Sequence, residues 1–148
     1  MSGSRSIEQH SVEQWLASRG IRFTGGRKLV VDELQRAAGP RSAAELHGDL
    51  GGMVPVSSVY RTLAVLEEAG VVEPHYGTKG VTRYEIAEWF AGHHHHLICL
   101  ECGAVDDFEL PRGLEEELER LVGTVSDLSQ FTASGHSLEV AGRCAKCR

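Results

Sequence analysis

The chain has 148 residues, is 41% hydrophobic and 24% charged, and carries a formal net charge of −6. That balance can build a globular core, contains no apolar run near the ~20 residues of a membrane span, and leaves the N-terminus, MSGSRSIEQHSVEQ, without secretory character. A cytoplasmic protein of one domain or two small ones is expected.

The charge is unevenly placed. Residues 1–86 hold 10 Lys+Arg against 10 Asp+Glu, and residues 87–148 hold 5 against 11. The acidic, His-rich second part suits cations, whereas the neutral first part can present a basic face to nucleic acid.

In chain order, helical punctuation dominates the first 70 residues. Ser6 and Gln9 fit a capping box, with Ile7, Trp15 and Leu16 as apolar positions before Gly20. Thr24 can cap a second helix carrying Leu29, Val30, Leu34 and Ala37, stopped by Gly39-Pro40. Ser42 and Glu45 form another capping-box pair, with Leu46 and Leu50 leading to Gly51-Gly52.

The fourth helix spans about Ser57 to Ala69. At 100° per residue Val59, Leu63 and Leu66 share one face, with Thr62 and Ala69 on its edge. Ser57, Tyr60, Arg61 and Ala64 point the other way. Such a face suits a major groove, since Arg reads guanine, Ser and Tyr hold phosphates, and Ala leaves room for a thymine methyl. It also suits plain solvent. Two strands, Val71 to Tyr76 and Val81 to Ile86, follow around the turn Gly77-Thr78-Lys79-Gly80. Helices followed by a hairpin describe a winged helix-turn-helix, with the fourth helix in the recognition position.

Ala87 to Gly92 reads as a hinge, giving a DNA-binding domain over 1–86, a hinge over 87–92 and a second domain over 93–148. In the latter, strands are expected at Leu97 to Leu100 and Val105 to Phe108. A helix is expected from about Gly113 to Val122, with Leu114, Leu118, Leu121 and Val122 on its apolar face, and a last strand from His136 to Gly142. The fold class is therefore α+β, a winged helix followed by a small α/β domain.

The four cysteines fall as Cys99-x-x-Cys102 and Cys144-x-x-Cys147. A tetrahedral zinc site uses both pairs, whereas a redox site uses one and leaves the other without a role. Directly before the first pair stands His93-His94-His95-His96. In an extended segment side chains alternate, so His93 and His95 face one way, His94 and His96 the other. One short strand can then serve two metal sites. Glu115 and His136 can join the first pair; Glu85 and Asp107 can join the second. A site containing Glu85 would couple metal binding to domain orientation. Imidazole with carboxylate suits zinc, iron or nickel alike.

The string HHHHLICLECG, with Cys144-Ala145-Lys146-Cys147 and the SSVYRTL of the fourth helix, resembles the Fur family of metalloregulators, which includes iron, zinc and nickel uptake regulators and peroxide sensors. The resemblance runs from about Ser11 to Cys147. It implies structural zinc on Cys99, Cys102, Cys144 and Cys147, and a dimerisation-domain metal site on His93, His95 and His136. It also implies a sensory site on His94 and His96, with Glu85 as the acidic ligand of iron-type members and Asp107 at the carboxylate position of peroxide sensors. Ser57, Ser58, Tyr60 and Arg61, with Arg27, become the candidate DNA contacts.

There are departures from the family pattern. Pro40 stands where iron and peroxide regulators place a His before the third helix, and Ala87 stands where actinobacterial zinc regulators carry a Cys. His75 or Glu73 can stand in for the missing ligand. The loop before Glu115 is one residue longer than usual, and Thr24-Gly25-Gly26-Arg27 lacks the usual Pro or Gln.

The implied protein is a metal-dependent repressor of metal-uptake genes. It would be a homodimer on palindromic double-stranded operator DNA, with structural Zn2+ and a second regulatory divalent ion, Zn2+ or Fe2+. No membrane or small organic substrate is expected. Peroxide sensing is an alternative. An enzyme is not expected, because HExxH is absent and four thiolates close a zinc to chemistry. A metal store would explain the histidines but not the winged helix.

Overall fold

The computed structural model describes residues 9–77 and 79–148. It divides into two compact units, with the boundary between His93 and His94. The expected cap at Ser6 and the apolar Ile7 lie outside the described residues, as does Thr78 of the turn.

The first unit begins with four helices, α1 (Gln9–Ala17), α2 (Gly25–Arg36), α3 (Ala43–Asp49) and α4 (Val56–Glu68). Their apolar faces meet in one core. Val12 and Leu16 of α1, Val30 and Val31 of α2, Leu46 of α3, and Val59, Leu63 and Leu66 of α4 are all essentially inaccessible. Thr24 caps α2, accepting from the Arg27 amide at 3.4 Å. The reciprocal box at α3 is complete. Ser42 Oγ accepts from the Glu45 amide at 3.1 Å, and the Glu45 carboxylate accepts from the Ser42 amide at 2.8 Å. Burial alone would push the Glu45 carboxyl up, but the Ser42 amide and the Arg83 guanidinium prevail and hold it below its ordinary value. Ser42→Ala removes one half of this box. It is expected to cost about 1 kcal/mol and lower the calorimetric midpoint of this unit by about 4–8 °C. An unchanged midpoint would show that the cap is idle.

The hairpin follows as β1 (Val72–Tyr76) and β2 (Thr82–Ile86), antiparallel, with Val72 opposite Ile86 and His75 opposite Arg83. The loop before α3 joins it through a two-bond bridge between Arg41 and Tyr84, at 2.9 and 2.8 Å. Ionic contacts reinforce that junction. Arg41 forks onto Asp49, Nε and Nη2 each at 2.9 Å from a carboxylate oxygen, and Arg83 reaches Glu45 at 3.3 Å.

The stretch expected as a hinge contains a single helical turn, α5 (Glu88–Ala91). Trp89 and Phe90 give it something to pack on. The Trp89 ring lies 4.4 Å from that of Trp15, edge to face. The two indoles donate to the last carbonyls of the α4 region, Trp15 to Ala69 at 2.6 Å and Trp89 to Gly70 at 3.0 Å. Gly92 follows at φ 88°, a conformation that favours glycine.

The second unit is a three-stranded sheet, order β4-β3-β5, with one helix. Its elements are β3 (His95–Cys99), β4 (Val105–Phe108), α6 (Arg112–Ser129) and β5 (Glu139–Gly142). β3 pairs antiparallel with β4 and parallel with β5. Several boundaries differ from the sequence expectation, and β3 ends at Cys99 rather than Leu100. β3 starts two residues earlier, taking in His95 and His96. α6 runs through Gly123 to Ser129, because Val125 and Leu128 continue the stripe of Leu114, Leu118 and Leu121. It ends at Gln130 in the left-handed conformation, φ 50°. β5 starts at Glu139 rather than His136, whose ring is held instead by Glu115. No residue of α6 is buried in the single chain. Among the described residues, no helix is long and apolar enough to cross a membrane.

Candidate metal centres

The two cysteine pairs meet because β3 and β5 run side by side. Their register puts Cys99 opposite Gly142, and the Leu100 amide donates to the Gly142 carbonyl at 2.8 Å, so the turn after β5 arrives beside the turn after β3. Each CxxC closes a tight knuckle. The Gly103 amide returns to the Cys99 carbonyl at 2.9 Å, and the Cys147 amide to that of Cys144 at 3.0 Å. Gly103, at φ 76°, permits the first of these turns.

All four Sγ atoms lie within 4.8 Å of one another, and Cys102 and Cys144 are 3.8 Å apart. Four sulfurs at ~2.3 Å from one zinc would stand about 3.8 Å apart. None is in a disulfide. The Cys102 amide, at 3.5 Å, and the Cys144 amide, at 3.4 Å, point at Cys99 Sγ and hold that thiol down to about 6. The hydrogen bond to Cys144 and burial push Cys147 up to about 12. Four thiols this close cannot all ionise by themselves; a central dication removes the conflict. The cluster fits a structural zinc site.

The histidines divide across β3. His95 is 1% exposed and His96 8%, and neighbouring positions on a strand face opposite ways. On one side Glu115 of α6 accepts from two imidazoles, one per oxygen: His95 Nε2 at 2.8 Å and His136 Nε2 at 2.7 Å. The His95 and His136 rings stack at 5.5 Å. On the other side Asp107, directly opposite His96 in β4, has its Oδ1 3.4 Å from His96 Nε2 and 3.6 Å from His94 Nε2. Two donors on one ion at ~2.1 Å stand about 3.0–3.4 Å apart. The pairs on one face are closer, at hydrogen-bond distance, and those on the other lie at or just beyond that spacing. In each set the donor atoms lie within 4.8 Å of one another, with the imidazole and carboxylate chemistry of a divalent metal site.

The remaining candidate ligands belong to the first unit. His93 Nδ1 pairs with the Glu88 carboxylate of α5. Glu85, 7% exposed at the end of β2, has its Oε1 2.5 Å from His75 Nε2. Pro40 is fully buried and Ala87 is 1% exposed; neither side chain carries a donor atom. Glu73 is exposed.

On α4, Ser57, Tyr60, Arg61 and Ala64 are exposed and Ser58 is half-buried. Arg27, whose Nη1 donates to the Arg22 carbonyl at 2.7 Å, lines an open cleft of ≈ 280 Å³ with Ser58 and Arg61. Met53 lines the same cleft and is 68% exposed. Sequence reasoning passed over it, because a lone methionine after Gly51-Gly52 belongs to no periodic pattern.

The family model described as the ferric uptake regulator family matches residues 18–141. A ferric uptake regulation protein of Neisseria gonorrhoeae is 27% identical over 146 residues, covering 96% of each chain. The structure of the Helicobacter pylori ferric uptake regulator, described as having three functional metal-binding sites, superposes with TM-score 0.75 at 28% identity, covering 99% of this chain and 94% of that one. A zinc-bound manganese uptake regulator superposes with TM-score 0.70 at 29% identity, covering 90% and 98%.

Proposed function

Because the chain belongs to the ferric uptake regulator family, whose members are metal-responsive regulators, we propose that it is a metal-dependent repressor that binds palindromic operator DNA as a homodimer and controls metal-uptake genes. The observation that carries this reading is the division of imidazoles across β3. His95 with Glu115 and His136 stands on one face, and His94 and His96 with Asp107 on the other, on a strand that ends in the cysteine cluster.

The roles follow from position. Cys99, Cys102, Cys144 and Cys147 hold structural zinc. His95, Glu115 and His136, joined by His93, hold a second ion. His94, His96 and Asp107, with Glu85, take up the regulatory ion. Cation preference for the ligated arrangement then sets the population of the DNA-binding state. Ser57, Ser58, Tyr60, Arg61 and Arg27 face the DNA. The donors are nitrogen and oxygen only, which accommodates zinc and ferrous iron alike.

The dimer is supported by α6. Leu114, Leu121, Val125 and Leu128 form one stripe, each at least half exposed in the single chain, and a contiguous apolar face of this kind is ordinarily covered. A two-fold pairing covers it with itself and sets two recognition helices at the separation of operator half-sites.

The test is DNA retardation by protein stripped with chelator and then titrated with zinc, ferrous iron, manganese and nickel. Retardation should appear with at least one ion and disappear on renewed chelation, and should weaken steeply with salt. DNA affinity indifferent to chelation would leave a metal-independent regulator in its place.

A further inference from the structure

We propose that Met53 is a specificity-determining DNA contact, its thioether packing on the 5-methyl group of a thymine beside the base that Arg61 reads; this rests on the recognition role of α4 just described. Met53 stands in the turn between α3 and α4 and is 68% exposed. A single exposed apolar residue is ordinary by itself. The backbone that carries this one and the cleft that it lines set it apart.

The backbone is fixed on both sides of the residue. Gly51 and Gly52 take left-handed φ values of 60° and 76°, which turn the chain sharply out of α3. The Met53 amide then donates to the Leu50 carbonyl at 3.1 Å. The carbonyl of the next residue, buried Val54, accepts from His47 Nδ1 at 2.9 Å. A side chain on so short and well-anchored a stalk gives up little beyond its own rotamer freedom when it is covered.

The cleft is open, ≈ 280 Å³, and mixed in chemistry. Met53, Val54 and Pro55 line it with apolar surface, Arg27 and Arg61 with positive charge, and Ser58 with a hydroxyl. The Arg27 guanidinium is steadied by the Arg22 carbonyl at 2.7 Å. Apolar surface beside two guanidinium groups suits a ligand with an anionic backbone and one apolar group on an otherwise polar edge. In the major groove the base that offers such a group is thymine, whereas the edges of guanine, adenine and cytosine are read through their hydrogen-bonding atoms. A methionine, unbranched and polarisable, can follow that methyl closely.

The experiment uses full-length, metal-loaded protein and a duplex recovered by in vitro selection on the parent. Each thymine of a half-site, with its two-fold mate, is replaced in turn by deoxyuridine, which removes the methyl and keeps every hydrogen-bonding group. For the parent, affinity should fall at one thymine position by about 4-fold per half-site, about 15-fold for the pair. In Met53→Ala that position should become indifferent to the methyl, and Met53→Leu, which restores an apolar contact, should recover most of the preference. Both variants should melt as the parent does, because the residue is exposed and leaves no cavity. A parent indifferent to deoxyuridine at every position, or a Met53→Ala protein with the parent's full deoxyuridine penalty, overturns the role of Met53 and leaves α4 as the reading element. If the metal-loaded parent does not prefer the selected duplex over mixed sequence, the recognition role of α4 falls, and that of Met53 with it.

Discussion

Cys144→Ser is expected to strip the cysteine cluster of zinc and to unfold the second unit. The reason is the poverty of that unit's core. Its only buried hydrophobic residues are Cys99 and Val105, its buried polar residues are His95 and His96, and α6 buries none of its side chains in the single chain. A sheet of three short strands with so little apolar burial gains only a few kcal/mol from packing, whereas structural zinc contributes on the order of 10–16 kcal/mol of apparent binding energy at neutral pH. Cys144 is also the residue whose amide and thiol join the two knuckles, donating to Cys99 Sγ and approaching Cys102 Sγ. The variant should show one structural zinc fewer per chain by elemental analysis, reduced strand signal in circular dichroism, and a monomeric or aggregated state by sedimentation. The helical signal of the first unit should persist, because its core is built from Val, Leu and Ile and owes nothing to metal. A Cys144→Ser protein that kept its zinc and remained a dimer would refute the structural role of the cluster.

Arg61→Ala is expected to weaken operator binding severely while leaving metal content and melting unchanged. Arg61 is exposed on α4, one turn from its N-terminus and on the side opposite Val59, Leu63 and Leu66, so its removal leaves no cavity. A guanidinium reading guanine is worth ~1–3 kcal/mol, and a two-fold dimer loses it twice, about 2–6 kcal/mol in all. That corresponds to roughly 30-fold to 10⁴-fold in affinity. The measurement is retardation of a duplex recovered by in vitro selection on the metal-loaded parent, with a mixed-sequence duplex as control. Equal affinity of parent and variant for the selected duplex would remove α4 from the recognition role.

Where a pattern had to satisfy one local constraint, the sequence was legible. The Ser42–Glu45 box, the division of α4 into a buried and an exposed face, and the two CxxC knuckles each depend on residues within a turn or two of one another, so spacing alone determined them. The elements whose bounds are not written locally depend on partners distant in the chain. The apolar pattern predicts a helix to about Val122; Gly123 costs ~1 kcal/mol within a helix, yet the apolar stripe beyond it and the Thr124 and Ser126 hydroxyls bonding back four residues carry α6 on to Ser129. Within the stretch that reads as a hinge, the four residues of α5 are too few to show periodicity; they pack on Trp15, more than 70 residues earlier. The pattern predicts β5 from His136, since nothing in the sequence announces that Glu115 holds that ring and the strand begins at Glu139. Met53 carried no signal at all, and its exposure beside Arg27 and Arg61 emerged only in three dimensions.

The indole pair has an optical consequence. Both tryptophans, Trp15 and Trp89, and all three tyrosines, Tyr60, Tyr76 and Tyr84, belong to the first unit; the second contains only Phe108 and Phe131 as benzenoid rings. Ultraviolet-excited emission therefore reads the first unit alone and is dark to events at the cysteines. With the rings packed edge to face at the spot where α1, the end of α4 and α5 come together, the chain carries a native chromophore couplet. Its exciton signature would report any loosening of that junction without an added label.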